Sequence, residues 1–506
     1  MDAMENVERV HPLTPAQRGL LYQTLLGDPG ALYRTQSRDR VLGAFDVGTF
    51  RAAVEWLVAR HESLRCLFLH VGLDEPAAVV RREVELPWAE HDLGALDEEA
   101  RRAALDEIAR ASLETPLPLD RAPLFRVTVS RLSDECSEVV FDIHHLIFDG
   151  WSSALFFAEL QHVYAALRDG RAPHLPPAGR FGDHAERVAA SDASGAAARW
   201  AERLRGFERP TSLQLDRALA HDVQDALHTD ASRSFELDER VTARLHELAR
   251  TARVTVATVV EAAWALTLAR YNDTADVVVG ITLNGRGAAG GAHERTFGMF
   301  VNAFPLRLRC APDTSVRAWL DAAGREKARL VEDENASLAD VHLASELPAG
   351  VPLFEALLVF QTFPALGGGG EAPLHFANVA VHENSPLPLL IDVFDGERLR
   401  FTALHTSERL AAAAVDRLVG HYLEVLRSLA AIRSPEAVPL AEVRMLTEAD
   451  RELLLGRWGA PALPADASGS LHGAFLERAR RTPEAVAVRD ARGATSYLEL
   501  DRKSVV

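Results

Sequence analysis

Two adjoining patterns of apolar and polar positions stand out in the middle of the chain. Residues 139–145 alternate between apolar and polar character, which predicts a β-strand with two different faces. One face carries Val139, Phe141, Ile143 and His145, and the other carries Val140, Asp142 and His144. Because His145 continues an apolar row, we expect its imidazole to point inward.

A helical pattern follows the strand, after a predicted tight turn at Asp149 and Gly150. Ser152 is the predicted N-cap, and Gly170 marks the predicted end of the helix. The apolar positions of this helix are Leu155, Phe156, Ala158, Leu160 and Val163. A strand, a turn and a capped helix would together hold an imidazole where it can meet a substrate.

A second amphipathic helix is predicted much later in the chain. Its apolar positions repeat at helical spacing and are Val415, Leu418, Val419, Tyr422, Leu423, Leu426 and Leu429. Turn-forming residues beyond this helix predict a linker, namely Pro435, Pro439, Pro461, Pro464 and Gly469. We expect a polar spacer at 191–230 and a flexible loop, without a phosphate-binding role, at the glycines of 367–370.

Composition narrows the classes of protein. The chain has 506 residues, which is long for one core, so we expect at least two lobes. No apolar run approaches the length that spans a bilayer, and the net charge of -18 disfavours a nucleic-acid partner. Cys66, Cys136 and Cys310 lack the spacing of a metal site or a disulfide framework. We therefore predict a cytoplasmic protein without a metal site.

Residues 144–150 resemble the His-His-x-x-x-Asp-Gly signature of the condensation domains of nonribosomal peptide synthetases. The signature is shared with the wider superfamily of thioester-dependent acyltransferases related to chloramphenicol acetyltransferase. Other condensation-domain motifs are resembled, in order and at family-like spacing, by residues 13–22, 59–68, 284–286 with 296–307, and 345–364. Together these stretches extend the resemblance over residues 8–430.

The resemblance implies an α/β (α+β) fold of two chloramphenicol acetyltransferase-like lobes, arranged as a V-shaped pseudo-dimer with a central tunnel. We place the N-terminal lobe at 8–180, the C-terminal lobe at 181–432 and a linker at 433–470. Residues 471–506 resemble the truncated start of an adenylation domain. Because this segment precedes any glycine-rich phosphate loop, we expect a parent polypeptide that continues into an adenylation domain.

The resemblance also implies an acyltransferase that forms peptide bonds. A donor acyl or peptidyl group on an upstream carrier domain would pass to the amine of an aminoacyl thioester on a downstream carrier domain. No cofactor is expected to bind the chain itself, because the carrier domains would present phosphopantetheine arms. The adjoining adenylation domain of the parent synthetase is the remaining expected partner.

His145 is the predicted catalytic residue. A neutral imidazole is suited to accept an amine proton near pH 7, since its unperturbed pKa is about 6.5. Two roles stay open for it, a general base or a group that positions the substrate and stabilises the tetrahedral intermediate electrostatically. No cysteine or serine lies in a nucleophile motif, so we expect direct attack without a covalent enzyme intermediate.

His144, Asp149, Gly150 and Arg65 are predicted to support the active site. We expect Asp149 to form an ion pair with an arginine, because an unpaired buried carboxylate is costly. The family pattern points to Arg65 as that arginine. Gly150 would permit either close substrate approach or a turn with positive φ. His144 lies on the opposite face of the strand and is interpreted as a hydrogen-bonded structural residue.

Trp151, Ser152 and Asn302 are candidates for tunnel or substrate contacts. Trp151 would either line the tunnel or simply pack. Asn302 would either shape the channel from the second lobe or have a purely structural purpose. Phe148 departs from the family pattern, because it is bulkier than the residue often found before the aspartate.

Activities related to amide formation differ in their motifs. A heterocyclisation domain would carry an aspartate in place of His144, and an epimerisation domain would carry a Glu-Gly-His-like segment that this sequence lacks. An ester-forming domain with an alcohol acceptor would use the same histidine. A catalytically silent docking platform would usually have lost part of the signature, which is intact here. Residues 337–341 and 384–387 resemble a subgroup in which acceptance of D-configured donors is frequent.

Overall fold

The computed structural model describes residues 5–26, 32–43, 45–191, 195–215, 231–286, 293–348, 350–361, 373–459, 471–490 and 493–504. The chain divides into two compact units, Met1–Met445 and Leu446–Val506. Two predicted features, the glycine loop at 367–370 and the linker prolines with Gly469 at 461–469, lie outside the described residues.

The strands of the described chain are β1 (Val7–Pro12), β2 (Arg34–Leu42), β3 (Cys66–Leu69), β4 (Ala77–Arg81), β5 (Trp88–Asp92), β6 (Phe125–Ser133), β7 (Cys136–His144), β8 (Ala231–Glu236), β9 (Asp276–Leu283), β10 (Asn302–Arg309), β11 (Ala356–Gln361), β12 (His375–Glu383), β13 (Leu389–Phe394), β14 (Arg400–His405), β15 (Val486–Asp490) and β16 (Gly493–Ser496).

The helices are α1 (Pro15–Leu26), α2 (Val47–Arg60), α3 (Glu98–Glu114), α4 (Gly150–Arg168), α5 (Phe181–Ala190), α6 (Ala196–Leu204), α7 (Glu239–Ala252), α8 (Val256–Tyr271), α9 (Val316–Glu332), α10 (Leu338–Leu343), α11 (Ala412–Ala431), α12 (Glu448–Glu452), α13 (Leu471–Arg481) and α14 (Tyr497–Ser504). Short 3-10 turns form at Glu62–Arg65 and Leu440–Glu442, and a π-helical turn forms at Leu453–Trp458.

The first large sheet has the strand order β12-β2-β7-β6-β5. Helices α2 and α4 pack on one face of it, where Phe50, Phe141 and Phe156 meet in a buried apolar cluster. The edge strand β12 comes from the stretch predicted to belong to the C-terminal lobe, and it pairs antiparallel with β2. β12 thus supplies backbone hydrogen bonds to an otherwise open edge of this sheet, and the lobe boundary at 180 stays a prediction.

The second large sheet has the order β10-β9-β11-β13-β14-β8 and mixes parallel with antiparallel pairs. Its core is built around α8, which is buried from Thr258 to Ala269. Helix α11 packs against α7 and α8, and every apolar position predicted for it from Val415 to Leu429 is buried. The prediction of this helix is confirmed.

Residues 433–445 belong to the first unit, so the predicted start of the linker at 433 is wrong. Leu440 and Val443 are buried in the core of the second sheet. The backbone N–H of Val316, at the start of α9, donates to the Val438 carbonyl at 2.9 Å. The prolines in this stretch mark turns, but the apolar residues between them are held by the core.

The second unit contains α12, the π-helical turn, α13, the antiparallel β15–β16 hairpin and α14. Within it, the backbone N–H of Tyr497 donates to the Ala485 carbonyl at 2.9 Å. The likeness of this segment to the start of an adenylation domain stays a prediction.

No single helix among the described residues is both long and apolar enough to cross a membrane. The pair α7 and α8, which is bent by 99° between its two helices, meets that test of length and composition jointly.

Candidate active site

The loop after β7 holds His145 by its backbone. The N–H of His145 donates to the carbonyl of Tyr33 at 2.8 Å, so β2 fixes this residue just beyond the last paired position of β7. Gln17 of α1 adds a second tie, because its amide donates to the Leu146 carbonyl at 2.8 Å. Tyr33 has a φ of 58°, a left-handed conformation that is uncommon outside glycine and is typical of functional sites.

The His145 imidazole lies among polar groups and one aromatic ring. Its Nε2 is 3.0 Å from Thr35 Oγ1 and 3.3 Å from Glu383 Oε1, and its Nδ1 is 3.4 Å from the Phe148 carbonyl oxygen. The Phe148 ring stacks on the imidazole at a centroid distance of 4.9 Å. The bulk of Phe148, a departure from the family pattern, thus restricts the orientation of the ring.

The electrostatic surroundings favour the protonated form of this imidazole. Burial lowers the pKa of His145, but the Glu383 carboxylate outweighs burial, and the Phe148 carbonyl and Asp149 act in the same direction, so the pKa is raised. Burial raises the pKa of Glu383, and His145 outweighs burial there as well, so that pKa is lowered. The Glu383 carboxylate and the protonated His145 ring therefore stabilise each other.

Asp149 caps α4 and also joins this helix to Arg286 and to Phe300. Its Oδ1 accepts from the Ser152 backbone N–H at 2.8 Å, which makes Asp149 the N-cap. Arg286 donates to both carboxylate oxygens, at 2.6 and 3.2 Å, and the backbone N–H of Phe300 donates at 3.0 Å. Both charged residues are buried, 1% and 5% exposed. The prediction of Ser152 as the N-cap is wrong, because the N-cap is Asp149, three residues earlier.

Arg65 is not the partner of Asp149, so the predicted ion pair is wrong. Arg65 closes the 3-10 turn before β3, and its guanidinium donates to Glu8 Oε2 at 2.7 Å and to the carbonyl of Arg81. The reason is topological: the small β1-β4-β3 sheet brings Glu8 and Arg81 beside the turn. The 284–286 turn brings Arg286 to Asp149 instead.

Ser152 and Trp151 attach α4 to residues 294–298. Ser152 is buried; its Oγ donates to the Gly298 carbonyl at 2.9 Å and accepts from the Gly298 N–H at 3.0 Å. Trp151 donates from Nε1 to the Glu294 carbonyl at 3.0 Å, and the Arg286 guanidinium lies 5.5 Å from its ring centroid. Both side chains are used in packing these elements together.

Gly150 leaves room for the close approach of Gln361. A Cβ at position 150 would lie 2.6 Å from Gln361 Oε1. Gln361 is held in place because its Nε2 donates to Asp392 Oδ1 at 2.9 Å. Gly150 is the first residue of α4 and has no positive φ, so the predicted turn conformation is wrong, and close approach of a substrate stays a prediction.

His144 and Asn302 have structural contacts. His144 is fully buried, and its Nδ1 accepts from the Leu146 N–H at 3.1 Å. Burial lowers the pKa of His144 to about 3, and His145 and Arg34 act in the same direction, so this ring is neutral near pH 7. Asn302 donates from its amide to the Ala336 carbonyl at 2.8 Å and so anchors the chain after α9.

Sequence reasoning missed Arg286, Glu383 and Thr35. Arg286 stands in the Asn-Gly-Arg motif, and the need of Asp149 for a cation is readable from the sequence, but many arginines qualify as that cation. Glu383 carries no motif, since only the pairing of β12 with β2 brings it to His145. Within the described part of the chain, no group of three or more His, Cys, Asp or Glu side chains is placed to hold a metal ion.

Comparison with known protein families shows which family this chain belongs to. The sequence model of the family described as "Condensation domain" matches residues 7–455. The chain belongs to the condensation-domain family. Condensation domains of nonribosomal peptide synthetases are acyltransferases that form amide bonds, so the predicted family and class of enzyme are confirmed.

The curated relatives of this condensation domain are large synthetases. The chain is 29% identical to one polypeptide of the linear gramicidin synthase of Brevibacillus parabrevis, over 99% of its own length and 10% of that protein. Tyrocidine synthase 2 of the same organism is 27% identical over 99% of the chain and 14% of that protein. Chondramide synthase cmdD of Chondromyces crocatus is 30% identical over 90% of the chain and 12% of that protein. The chain thus spans a small fraction of the length of these relatives.

Solved structures agree on the fold. The first condensation domain of the calcium-dependent antibiotic synthetase, in complex with substrate analogue 2a, is 25% identical and superimposes with a TM-score of 0.70, covering 87% of this chain and 100% of that one. The four-domain nonribosomal peptide synthetase holo-AB3403, bound to AMP and glycine, shares the fold with a TM-score of 0.73 at 15% identity, covering 98% of this chain and 38% of that one. The predicted α/β, chloramphenicol acetyltransferase-like fold is confirmed.

Proposed function

We propose that this condensation domain transfers a donor acyl or peptidyl group from an upstream carrier-domain thioester to the amine of an aminoacyl thioester on a downstream carrier domain. The observation that supports the proposal most directly is the position of His145. Its imidazole is partly accessible, 18% exposed, while the neighbouring His144 and Asp149 are buried. A titratable group that is held by β2 and still reachable is suited to proton transfer.

The proposed chemistry is direct attack of the acceptor amine on the donor carbonyl. The cysteines support the absence of a covalent intermediate: Cys66 and Cys310 are buried, and burial raises the pKa of Cys310 to about 12. A thiol with such a pKa is not a nucleophile near pH 7. His145 takes the proton of the amine, and the same ring, once protonated, faces the charge that develops in the tetrahedral intermediate.

Single-turnover transfer between two loaded carrier domains tests the proposal. We expect His145→Ala to lower the rate about 100-fold or more, because general bases contribute at least that much to such reactions. His174→Ala, which alters an exposed histidine of the same unit, is the matched control and should transfer at the wild-type rate. Intact-protein mass spectrometry of the acceptor carrier gives the readout, and near-normal transfer by the His145 variant would refute the proposal.

The partners and the compartment are part of the same proposal. Condensation domains work within multidomain synthetases together with carrier and adenylation domains. For this chain we propose phosphopantetheine arms of flanking carrier domains as the bearers of both substrates, with no cofactor bound to the condensation domain itself. The three free thiols support a reducing, cytoplasmic location.

A further inference from the structure

Glu383 is a second ionisable group at the reacting atom of His145. It is the last residue of β12, and its Oε1 lies 3.3 Å from His145 Nε2. Thr35 Oγ1, on the neighbouring strand β2, lies 3.0 Å from the same nitrogen. Three side chains from three different segments therefore converge on one point.

The hydrogen-bonding capacity of this cluster indicates a place for one positive charge. The Phe148 carbonyl faces Nδ1 and the Glu383 carboxylate faces Nε2, and both oxygens are acceptors. An imidazolium, with a proton on each nitrogen, donates to both of them, whereas a neutral ring can donate to only one. When the imidazole is neutral and Nδ1–H donates to Phe148, the carboxylate and the bare Nε2 face each other as two acceptors without a shared proton.

The two buried ion pairs next to the His145 motif are closed to solvent. Asp142 is bound by Arg126 at 2.8 Å and by Arg34, and the side chains of Arg34 and Asp142 are 1% and 0% exposed. The pair of Asp149 and Arg286 is equally buried. By contrast, the side chains of His145 and Glu383 are 18% and 24% exposed. This cluster is therefore accessible to a substrate, and the cation now facing the carboxylate is one that can lose its charge.

We propose that Glu383, together with Thr35 and His145, binds the ammonium group of the acceptor aminoacyl thioester, a role that rests on the function proposed above. An ammonium has three N–H donors and no acceptor, so it matches Oε1, Oγ1 and Nε2. The site holds one cation at a time, an imidazolium when it is empty and the substrate ammonium when it is occupied. A hydroxyl acceptor carries no charge and gains little from the carboxylate.

The reaction balances with these groups. One proton passes from the bound ammonium to the neutral Nε2 of His145 and from there to solvent, while Glu383 stabilises the transient imidazolium. The nitrogen then forms a bond to the donor carbonyl carbon as the carbon–sulfur bond breaks. The second proton of the attacking nitrogen ends on the departing sulfur, which gives an amide and a thiol.

Asp392 supplies a matched control. It lies on β13, where it accepts a hydrogen bond from Gln361, and it belongs to the same group of interacting charges as Glu383. Burial and then the Glu383 charge raise the pKa of Asp392 to about 7, so this carboxyl is partly neutral at physiological pH. We infer that Glu383 carries most of the negative charge next to His145, and that Asp392→Asn leaves it in place.

The test measures binding preference with two non-reactive acceptor mimics on the same carrier domain. One carries glycine and the other carries glycolic acid, each through an amide in place of the thioester. Wild-type protein and the Asp392→Asn variant are expected to bind the glycyl carrier about tenfold more tightly than the glycolyl carrier, since a hydrogen bond to a charged group contributes roughly that factor. Glu383→Gln is expected to lose the preference while keeping the wild-type melting temperature.

Two results overturn the inference. One is a Glu383→Gln variant that retains the preference for the glycyl carrier, and the other is a wild-type protein that shows none. Either result leaves the proposed function standing if transfer still depends on His145, so the two failures are distinguishable. Glu383→Gln is also expected to slow amide transfer about tenfold or more from wild-type carriers, with Glu383→Asp between the two.

A second readout follows the protonation of His145 directly. The groups that act on this ring are Glu383 of β12, Thr35 of β2, Asp149 before α4, the adjacent His144, and Asp392 of β13. Tyr33, which precedes β2, interacts with Glu383. Because Glu383 raises the pKa of His145, Glu383→Gln should shift the pH profile of His145 carbethoxylation to lower pH. Peptide mass spectrometry reports this modification at His145 alone, and an unshifted profile would contradict contact between the two side chains in solution.

Discussion

Asp149 accepts hydrogen bonds at both of its carboxylate oxygens, and these bonds determine its structural role in the site. Oδ1 caps α4 through the Ser152 N–H, and Oδ2 receives Arg286 and the backbone of Phe300. Neither oxygen faces the His145 ring nitrogens in these contacts. Asp149 therefore shapes the site by fixing where α4 begins, and it adds a negative charge that helps to raise the pKa of His145.

The cap and the ion pair of Asp149 are separable by substitution. Asp149→Asn keeps a good N-cap but leaves the Arg286 charge buried without its carboxylate, which costs about 3–5 kcal/mol of unfolding free energy. Asp149→Ala should cost about 1 kcal/mol more, because the cap is lost as well. Chemical denaturation measures both values.

Arg51→Ala is the control for this comparison, since Arg51 forms an exposed pair with Glu55 and should change stability by less than about 0.5 kcal/mol. In a double-mutant cycle, Asp149→Asn combined with Arg286→Met should be clearly less destabilising than the sum of the single changes. Loss of transfer activity by Asp149→Asn at an unchanged unfolding free energy would argue against this structural assignment.

At the scale of elements, the site depends on where two short connections place their side chains. One is the loop between β7 and α4, which carries His145, and the other is the turn after β9, which carries Arg286. The turn needs Gly285, whose φ is +62° and whose Cβ would lie 2.1 Å from the carbonyl oxygen of Phe300. The same Phe300 donates its N–H to Asp149, so the turn and the cap are mechanically linked.

Gly285→Ala is therefore expected to destabilise the protein by about 1–3 kcal/mol through backbone strain and overpacking. Transfer should fall with stability, because Arg286 is displaced from Asp149. Gly420→Ala in α11 is the matched control: a Cβ there meets no atom within 4 Å, and alanine favours a helix by up to about 1 kcal/mol. The melting temperatures of both variants, measured by thermal unfolding, test this prediction. Equal melting temperatures would contradict the argument that Gly285→Ala strains the backbone.

On the scale of the whole molecule, the core of the first unit is completed by residues that follow α11, beyond Pro435 and Pro439. Residues 438–443 run beside the start of α9, and Arg270 of α8 donates to the Leu440 carbonyl at 2.7 Å. Residues 438–443 cover one end of the apolar core of the second large sheet. The second unit begins only at Leu446. A boundary drawn at the end of α11 would expose apolar surface.

Two truncations test this boundary. A chain that ends at Met445 should unfold cooperatively with the wild-type first-unit transition and should transfer acyl groups between carriers. A chain that ends at Ile432 lacks Leu440 and Val443 and should be less stable by about 3 kcal/mol or more, as for deletion of two buried aliphatic side chains. Calorimetry of both chains is the measurement; equal stability would show that residues 433–445 are linker after all.

Local pattern accounts for much of the architecture around the signature. The helical periods after Gly150 and along α11 are recovered because side-chain burial follows helix periodicity directly. The strand predicted at 139–145 forms as β7 up to His144, but both of its faces are buried, so burial does not follow the alternation there. His145 is identifiable because its motif is contiguous in the chain. The predicted N-cap of α4 is wrong because both Ser152 and Asp149 are residue types that favour the N-cap position. The predicted start of the linker is wrong because the prolines at 433–445 flank leucine and valine side chains that are buried.

The sequence by itself determined the fold family, the two helices and strand described above, and the identity of the central histidine, because these depend on local spacing and on motifs read along one segment. Only the tertiary structure decided the partners of that histidine and of Asp149. Arg286 lies 137 positions from Asp149 and Glu383 lies 238 positions from His145 (383 minus 145), and each is brought into contact by strand pairing or a turn. A buried carboxylate requires a cationic partner, but this requirement does not say where in the chain the partner lies. From the sequence alone, any of the 55 lysines and arginines could therefore be the partner of Asp149.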